Sequence, residues 1–379
     1  MDIIAFCKDW DEPKTSNNHV IEELAKRHRV LWVNSISTRA PNLTSSNDLG
    51  KIVRKLASWF RGVREVNPNI RVLTPIVIPI PSSPLAQKVN RVLTTWLVRR
   101  AAHTWRLRDP ELWIFPPNAV DFVGRLGESR VVYYCVDEWS QFRHIDASLM
   151  RRKEDALLSK ADAVFVVSRA LLQSKRGRSR SIHLVPHGVR TELFTAPGAV
   201  PADMRQFPRP VIGFHGNLYD WVDQDLIRGI ALARPDWTVV LIGKIMCDVS
   251  RLRECANVKL MGYRMYEELP AYCSGFDVGI IPYRMDDPRM ESVNPLKLRE
   301  YLAAGLPVVS VDLPEVRELQ PGVLIADGVD EFVRSIERAM QENSPDHVAA
   351  RKALVSSDSW ERRVEAIERI LAGSRSAIQ

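Results

Sequence analysis

Cysteine is scarce in this chain. There are five in 379 residues (Cys7, Cys135, Cys247, Cys255 and Cys273), an odd number, scattered, and never arranged as C-x-x-C. That excludes a disulfide framework and a structural zinc site, and the five read as reduced core residues. Long apolar runs are missing too. The longest candidate, "VLTPIVIPIP", is short and broken by proline, which excludes a bilayer-spanning helix there. No internal repeat and no low-complexity tract is visible. The opening "MDIIAFCKDWDEP" lacks a signal peptide's basic start and small-residue cleavage site, so a cytoplasmic location is expected.

What is present is globular: 45% of residues are apolar, and the length predicts two domains of about 150–200 residues. The net charge of +7 is unevenly placed. Residues 1–195 hold 31 Lys and Arg against 19 Asp and Glu, an excess of +12, whereas the remainder is at −5. Much of the excess lies in two amphipathic segments, "KIVRKLASWFRGVR" (51–64) and "SPLAQKVNRVLTTWLVRRAAHTWRLR" (83–108). Each mixes Leu, Val, Trp and Phe with Lys and Arg, as helices on an anionic membrane surface do; a packed helix with a wet basic rim is the other reading. No nucleic-acid-binding signature accompanies the charge, so nucleic acid is not an expected partner.

Strand-like runs alternate with amphipathic helical patterns from the start: "DIIAFC", "RVLWVN", "ELWIFPP", "RVVYYCVD" and "ADAVFVVS", with helices between. Alternation of this kind predicts a doubly wound α/β domain with a parallel sheet. A Pro- and Ala-rich stretch, 196–210, interrupts it as a linker, and the alternation restarts with "VIGFHG", "WTVVLIG", "NVKLMG", "DVGIIPY" and "PVVSVD". The expected organisation is an N-terminal domain at 1–195, a C-terminal domain at 211–358 and a final helix at 359–379 that packs back on the first domain. In such sheets ligands sit beyond the carboxyl ends of the strands.

The segment "NPLKLREYLAAGLPVVS" (294–310) carries the most chemistry. Asn294 suits an N-cap and Pro295 the first helical position, predicting a helix to Ala304 with Gly305 as its stop. Leu298, Tyr301 and Leu302 form its core face, and Lys297 and Glu300 share the neighbouring one. They read either as a solvated pair or as a lysine for phosphate followed one turn on by a carboxylate for ribose, exposed in an empty cleft.

Together "ESVNPLKLREYLAAGLPVVSVD", "VKLMGYRMYEELPAYCSGFDVGIIPY", "VVYYCVDEWSQF", "ADAVFVVS", "LVPHGV" and "IGFHGNLYDWVDQDLI" resemble, in order, GT-B glycosyltransferases of the "glycosyl transferases group 1" kind that build bacterial cell-surface polysaccharides. The resemblance covers nearly the whole chain. It implies two Rossmann-like domains facing a central cleft, a nucleotide-sugar donor such as a UDP-sugar held by the C-terminal domain, no cofactor and no metal, and a lipid-linked or saccharide acceptor at the inner face of the plasma membrane. The retaining members carry two glutamates separated by seven residues. Glu300 matches the second, but Ser292 occupies the first position, with Glu291 one residue off.

For such a transfer, charge on the leaving diphosphate must be stabilised. Lys297 and the amides near Asn294 and Pro295 answer to that, with Glu300 as ribose ligand by resemblance. Lys244, after "WTVVLIG", is a second cation or a surface turn lysine, and Gly216 permits close backbone approach. Met261, Gly262 and Tyr263 fall where the family's base-binding loop does. Asp137, closing "RVVYYCVD", is the expected base for the acceptor hydroxyl, with His19 second and facing the cleft entrance. The rival "DWD" at 9–11 matches a metal-binding D-x-D, a pattern common by chance. A sugar-nucleotide epimerase or hydrolase, or a non-catalytic nucleotide-sugar-binding partner, stands as the alternative.

Overall fold

The structure, a computed structural model, describes residues 1–36, 62–78, 80, 83–143, 145–196 and 198–376. The chain forms two α/β units: residues 1–186 together with those from Val364 onward, and residues 187–363.

In the first unit the elements run β1 (Asp2–Phe6), α1 (Ser16–Leu24), β2 (Arg29–Val33), β3 (Val63–Asn67), β4 (Ile70–Leu73), α2 (Pro84–Thr104), β5 (Glu111–Ile114), β6 (Arg130–Cys135), α3 (Ala147–Lys160), β7 (Ala163–Val166), α4 (Arg169–Lys175) and β8 (Ile182–Leu184). They build one sheet in the order β3-β4-β2-β1-β5-β6-β7-β8, parallel except for β3 against β4. β1 and β5 are buried along their whole length, as strands covered on both faces must be. Two tryptophans lie in this core with their polar edges satisfied: Trp32 Nε1 donates to Asn34 Oδ1 at 3.0 Å and Trp113 Nε1 to Glu111 Oε2 at 3.2 Å.

The second unit runs α5 (Thr191–Thr195), α6 (Ala202–Arg205), β9 (Val211–His215), α7 (Gln224–Ala233), β10 (Thr238–Ile242), α8 (Ser250–Arg253), β11 (Val258–Gly262), α9 (Leu269–Cys273), β12 (Val278–Ile281), α10 (Leu296–Ala303), β13 (Val308–Ser310), α11 (Pro314–Arg317), β14 (Val323–Ile325), α12 (Gly328–Gln341), α13 (Pro345–Leu354) and the start of α14 (Trp360–Ser376). Its sheet, β11-β10-β9-β12-β13-β14, is parallel throughout. The strand order reverses between β9 and β12, which opens a crevice at their carboxyl ends.

Two expectations need correction and a third holds. The division falls after Pro186, not at 196–210; that stretch belongs to the second unit, where Asp203 of α6 accepts from Arg264 Nη2 and the Tyr272 hydroxyl, each at 2.9 Å. Of the basic segment 51–64, residues 51–61 lie outside the described residues. Its end opens β3, an edge strand whose Arg64 pairs with Asp11 at 2.8 Å. The segment 83–108 does hold a helix, α2, capped by Ser83 Oγ accepting from Ala86 N at 3.3 Å.

Candidate functional site

Helix α10 begins one residue later than expected. Pro295 is its N-cap and, with no side-chain acceptor, makes no side-chain cap, while Asn294 Oδ1 accepts from Arg299 Nη1 at 2.8 Å. Arg299 also donates to Asp358 Oδ2 at 2.9 Å, so Asn294 serves a buried guanidinium rather than a helix end. The helix stops as its sequence says, with Gly305 at φ +77°.

The larger correction concerns exposure. Leu298, Tyr301 and Leu302 make the core face, but Lys297 and Glu300 are buried as well, at 8% and 5% exposed. They are neither a solvated pair nor an exposed one. Lys297 Nζ donates to the Tyr283 hydroxyl at 2.5 Å and lies over the Phe214 and Tyr283 rings, 4.6 and 4.8 Å from their centroids. Phe214 is on β9 and Tyr283 follows β12, so the ammonium stands at the reversal of the sheet. Gly216, just beyond β9, turns the backbone there with φ +134°, and a Cβ on it would lie 3.1 Å from Lys297 Nζ. Only glycine leaves that approach open.

Glu300 lies one turn on. Its Oε2 is 3.5 Å from His215 Nε2, and the Tyr266 hydroxyl and the Lys297 ammonium both act on the carboxyl. Burial dominates and pushes Glu300 up to about 7, against the lowering pull of Tyr266 and Lys297. His215 is driven the other way, to about 3, by burial and then by Lys297. Near neutral pH the imidazole is therefore uncharged beside a half-ionised carboxyl. The ring packs edge-on against Tyr301, at 4.7 Å, and the His215 amide donates to the Tyr301 hydroxyl at 2.9 Å.

Beside this group the loops after β10 and β11 meet. Gly243, at φ +153°, donates from its amide to Gly262 O at 2.9 Å, and a Cβ on it would strike Gly216 O at 2.1 Å. Lys244 Nζ lies 4.9 Å over the Tyr263 ring, and its amide donates to Asn217 Oδ1 at 3.2 Å. Met261 and Gly262 end β11 half-buried, and Tyr263 is exposed. Ser292 is buried with its hydroxyl donating to Arg289 O at 3.3 Å, while Glu291 is exposed. No carboxylate therefore occupies the first glutamate position.

In the first unit Asp137 follows β6 and is half-buried. The turn it belongs to is pinned from below, where Lys175 Nζ donates to Glu138 Oε2 at 2.6 Å and to Glu154 Oε2 at 2.8 Å. Burial pushes Lys175 down, but Cys135, Glu154 and Glu138 outweigh it and hold the ammonium above its ordinary value. His19 does not face an entrance. It is 2% exposed within α1, whose amides are gathered by Thr15 and Asn18. In "DWD", Asp9 accepts from Ser35 N and Oγ at 3.0 and 2.7 Å and Asp11 holds Arg64, so both acids have structural partners. Among the described residues no three His, Cys, Asp or Glu gather as metal ligands.

The sequence reading missed His215, Tyr266 and Tyr283. Two of them carried a signal, since each sits where a strand of the second sheet gives out. Tyr266 carried none, because its approach to Glu300 depends on the 3-10 turn before α9.

Residues 209–342 match the family model described as "Glycosyl transferases group 1". The putative teichuronic acid biosynthesis glycosyltransferase TuaH of Bacillus subtilis (strain 168) is 29% identical over 258 residues, a match covering 61% of this chain and 64% of that relative's length. Among solved structures, a sucrose-phosphate synthase from Thermosynechococcus elongatus superposes with a TM-score of 0.74 at 14% identity, over the whole of both chains. HepE of Anabaena, in complex with UDP-glucose, gives 0.69 at 15% identity over 98% of this chain and all of its own. The likeness to glycosyl transferases group 1 thus lies in residues 209–342, within a chain that has the GT-B fold.

Proposed function

We propose that this protein is a glycosyltransferase that moves a sugar from a UDP-sugar to a lipid-linked or saccharide acceptor, in assembly of a bacterial envelope polysaccharide at the cytoplasmic membrane face. The carrying observation is Lys297: a buried ammonium held on two aromatic rings at the sheet reversal, against a glycine that leaves room for a ligand, inside the stretch that matches the group 1 family model. The solved HepE complex with UDP-glucose and the TuaH likeness support the donor and the polysaccharide setting.

In the reaction the bond from sugar C1 to the diphosphate oxygen breaks and a bond from C1 to the acceptor oxygen forms. Lys297, with the first-turn amides of α10, meets the charge left on the diphosphate. Glu300 takes the ribose hydroxyls, and its raised pKa suits it to donate or accept. Lys244 and Tyr263 border the base. Asp137 receives the proton of the acceptor hydroxyl; His19, buried in α1, is not available for it.

Titration calorimetry tests the donor site. Lys297→Met keeps the apolar stem against Phe214 and should lower UDP affinity about ten- to a hundredfold, the loss of one charge-assisted hydrogen bond. Uridine, lacking phosphate, should bind both proteins alike, and GDP should bind the wild type more weakly than UDP. UDP binding unchanged in Lys297→Met would remove the assignment. Asp137→Asn should leave UDP affinity intact and reduce turnover by about two to four orders of magnitude. Normal turnover in that variant would move the base elsewhere.

A further inference from the structure

Helix α2 leaves four large apolar side chains in solvent: Leu85, Val89, Val92 and Trp96 are 71%, 40%, 64% and 53% exposed. At about 100° per residue these positions fall within an arc of roughly 60°, so they form one stripe, away from the buried Ala86, Thr94, Val98 and Ala101. The preceding segment adds to it. Ile78 and Ile80 are exposed, and Asn90 clasps the Ile78 backbone, accepting from its amide at 2.7 Å and donating to its carbonyl at 2.8 Å.

The stripe is flanked by positive charge. A cavity of about 450 Å³ beside it is lined by Trp96 with Arg91, Arg99, Arg100 and Arg125, and by no acid. A second cavity, of about 330 Å³, shares Arg91 and Arg125 and adds Arg152, Lys153 and Lys160. Its one carboxylate, Asp121, is already paired with Lys153 at 2.5 Å. Arg100 lies over the Trp96 ring at 5.3 Å, joining the apolar and basic parts.

We propose that this face docks on an anionic phospholipid surface. Leu85, Val89, Val92 and Trp96 enter the acyl boundary, while the two basic cavities seat lipid phosphates. A large apolar patch marks an interaction surface. The one-signed charge around this one selects a bed of phosphates over a protein surface of mixed charge, and the long arginine stems let their heads reach the phosphate level while the stripe goes deeper. The placement suits the reaction. As the crossover from β4 to β5, α2 runs against the strands, so its stripe-bearing N-terminal half lies toward their carboxyl ends, the end at which Asp137 follows β6. This inference rests on the membrane reading given above and names the surface responsible for it.

The test is co-sedimentation of the full chain with vesicles of phosphatidylglycerol and phosphatidylcholine, against phosphatidylcholine alone. Wild type should bind the anionic vesicles, and less as salt rises. Arg91→Gln/Arg125→Gln should weaken binding by about fivefold per residue, and Val92→Asp/Trp96→Asp should abolish it. Arg205→Gln, an exposed arginine of the second unit, should change nothing. UDP affinity and circular dichroism serve as the folding check and should match wild type throughout. Wild-type protein that ignores anionic vesicles at low salt overturns both the membrane reading and this surface. Strong wild-type binding that survives both double variants overturns this surface alone, and equal binding to neutral vesicles overturns the phosphate seats.

Discussion

Glu300 is a carboxyl kept in a place that disfavours its charge. Its ordinary value is 4.5 and burial lifts it to about 7, so between those values the folded chain holds a proton that the unfolded chain has released. Its contribution to stability therefore falls as pH climbs from about 4.5 to about 7 and levels off above, with a ceiling near ~3 kcal/mol. Glu300→Gln removes that slope. In urea titrations the variant should gain on wild type by about 1–3 kcal/mol on going from pH 5 to pH 8. Comparing the two proteins at each pH cancels most of the opposite contribution of His187 and His215. Both are depressed to about 3, so each contributes stability that is lost as pH falls below about 6.5. A constant gap between variant and wild type across that range would mean that Glu300 ionises normally. Ground-state discomfort of this sort fits a group that is completed by a ligand, as the ribose hydroxyls proposed above would do.

At the scale of elements, the site is a meeting of loop ends around one helix start. Gly243 is its tightest joint, because a side chain there would collide with the backbone oxygen of Gly216 in a conformation already strained for any L residue. Gly243→Ala should cost on the order of 1–3 kcal/mol and lower UDP affinity as the two loops part. Gly177→Ala, also at positive φ but with nothing within 4 Å, should cost less and leave UDP affinity alone. Equal effects from the two would show that the collision is relieved cheaply.

The same scale shows what could be read in advance. Strands such as "DIIAF" and "TVVLI" announce themselves because burial on both faces demands unbroken apolar runs. α10 is legible because "NPLKLREYLAAG" has start, face and stop. β3 is not, since "VREVN" is a mostly exposed edge strand held by pairing with β4. Lys297 and Glu300 were legible as a pair, but their burial was not. It comes from Phe214, Tyr266 and Tyr283, three residues brought in from distant parts of the chain. The lysine under the Asp137 turn escaped for the same reason. Lys175 lies far along the sequence from Glu138, and nothing local marks it as buried.

On the scale of the molecule, the chain leaves the first unit after Pro186 and returns to it at Val364. Val364, Ile367 and Leu371 of α14 are buried, and Glu368 takes Arg27 and, at 2.8 Å, His28 Nε2. A chain cut after Arg363 gives up three buried aliphatic side chains, at about 1.5–3 kcal/mol each. Amide exchange in β1, β2 and α1 should then accelerate, while the second unit, complete without that helix turn, keeps its UDP affinity. Unchanged exchange in the cut chain would show that α14 is an ornament on the first unit.

That return of the chain also sets a schedule for synthesis. The sheet of the first unit is encoded by residues 2–184, yet the last part of its covering emerges only after the whole second unit has been translated. At about 5–20 residues per second the delay is on the order of ten to thirty-five seconds. Throughout it the nascent chain carries a first unit lacking its final helix, with the surface beside Arg27 and His28 uncovered. Ribosome-bound chains stalled before Val364 should therefore recruit chaperones that released full-length chains no longer hold.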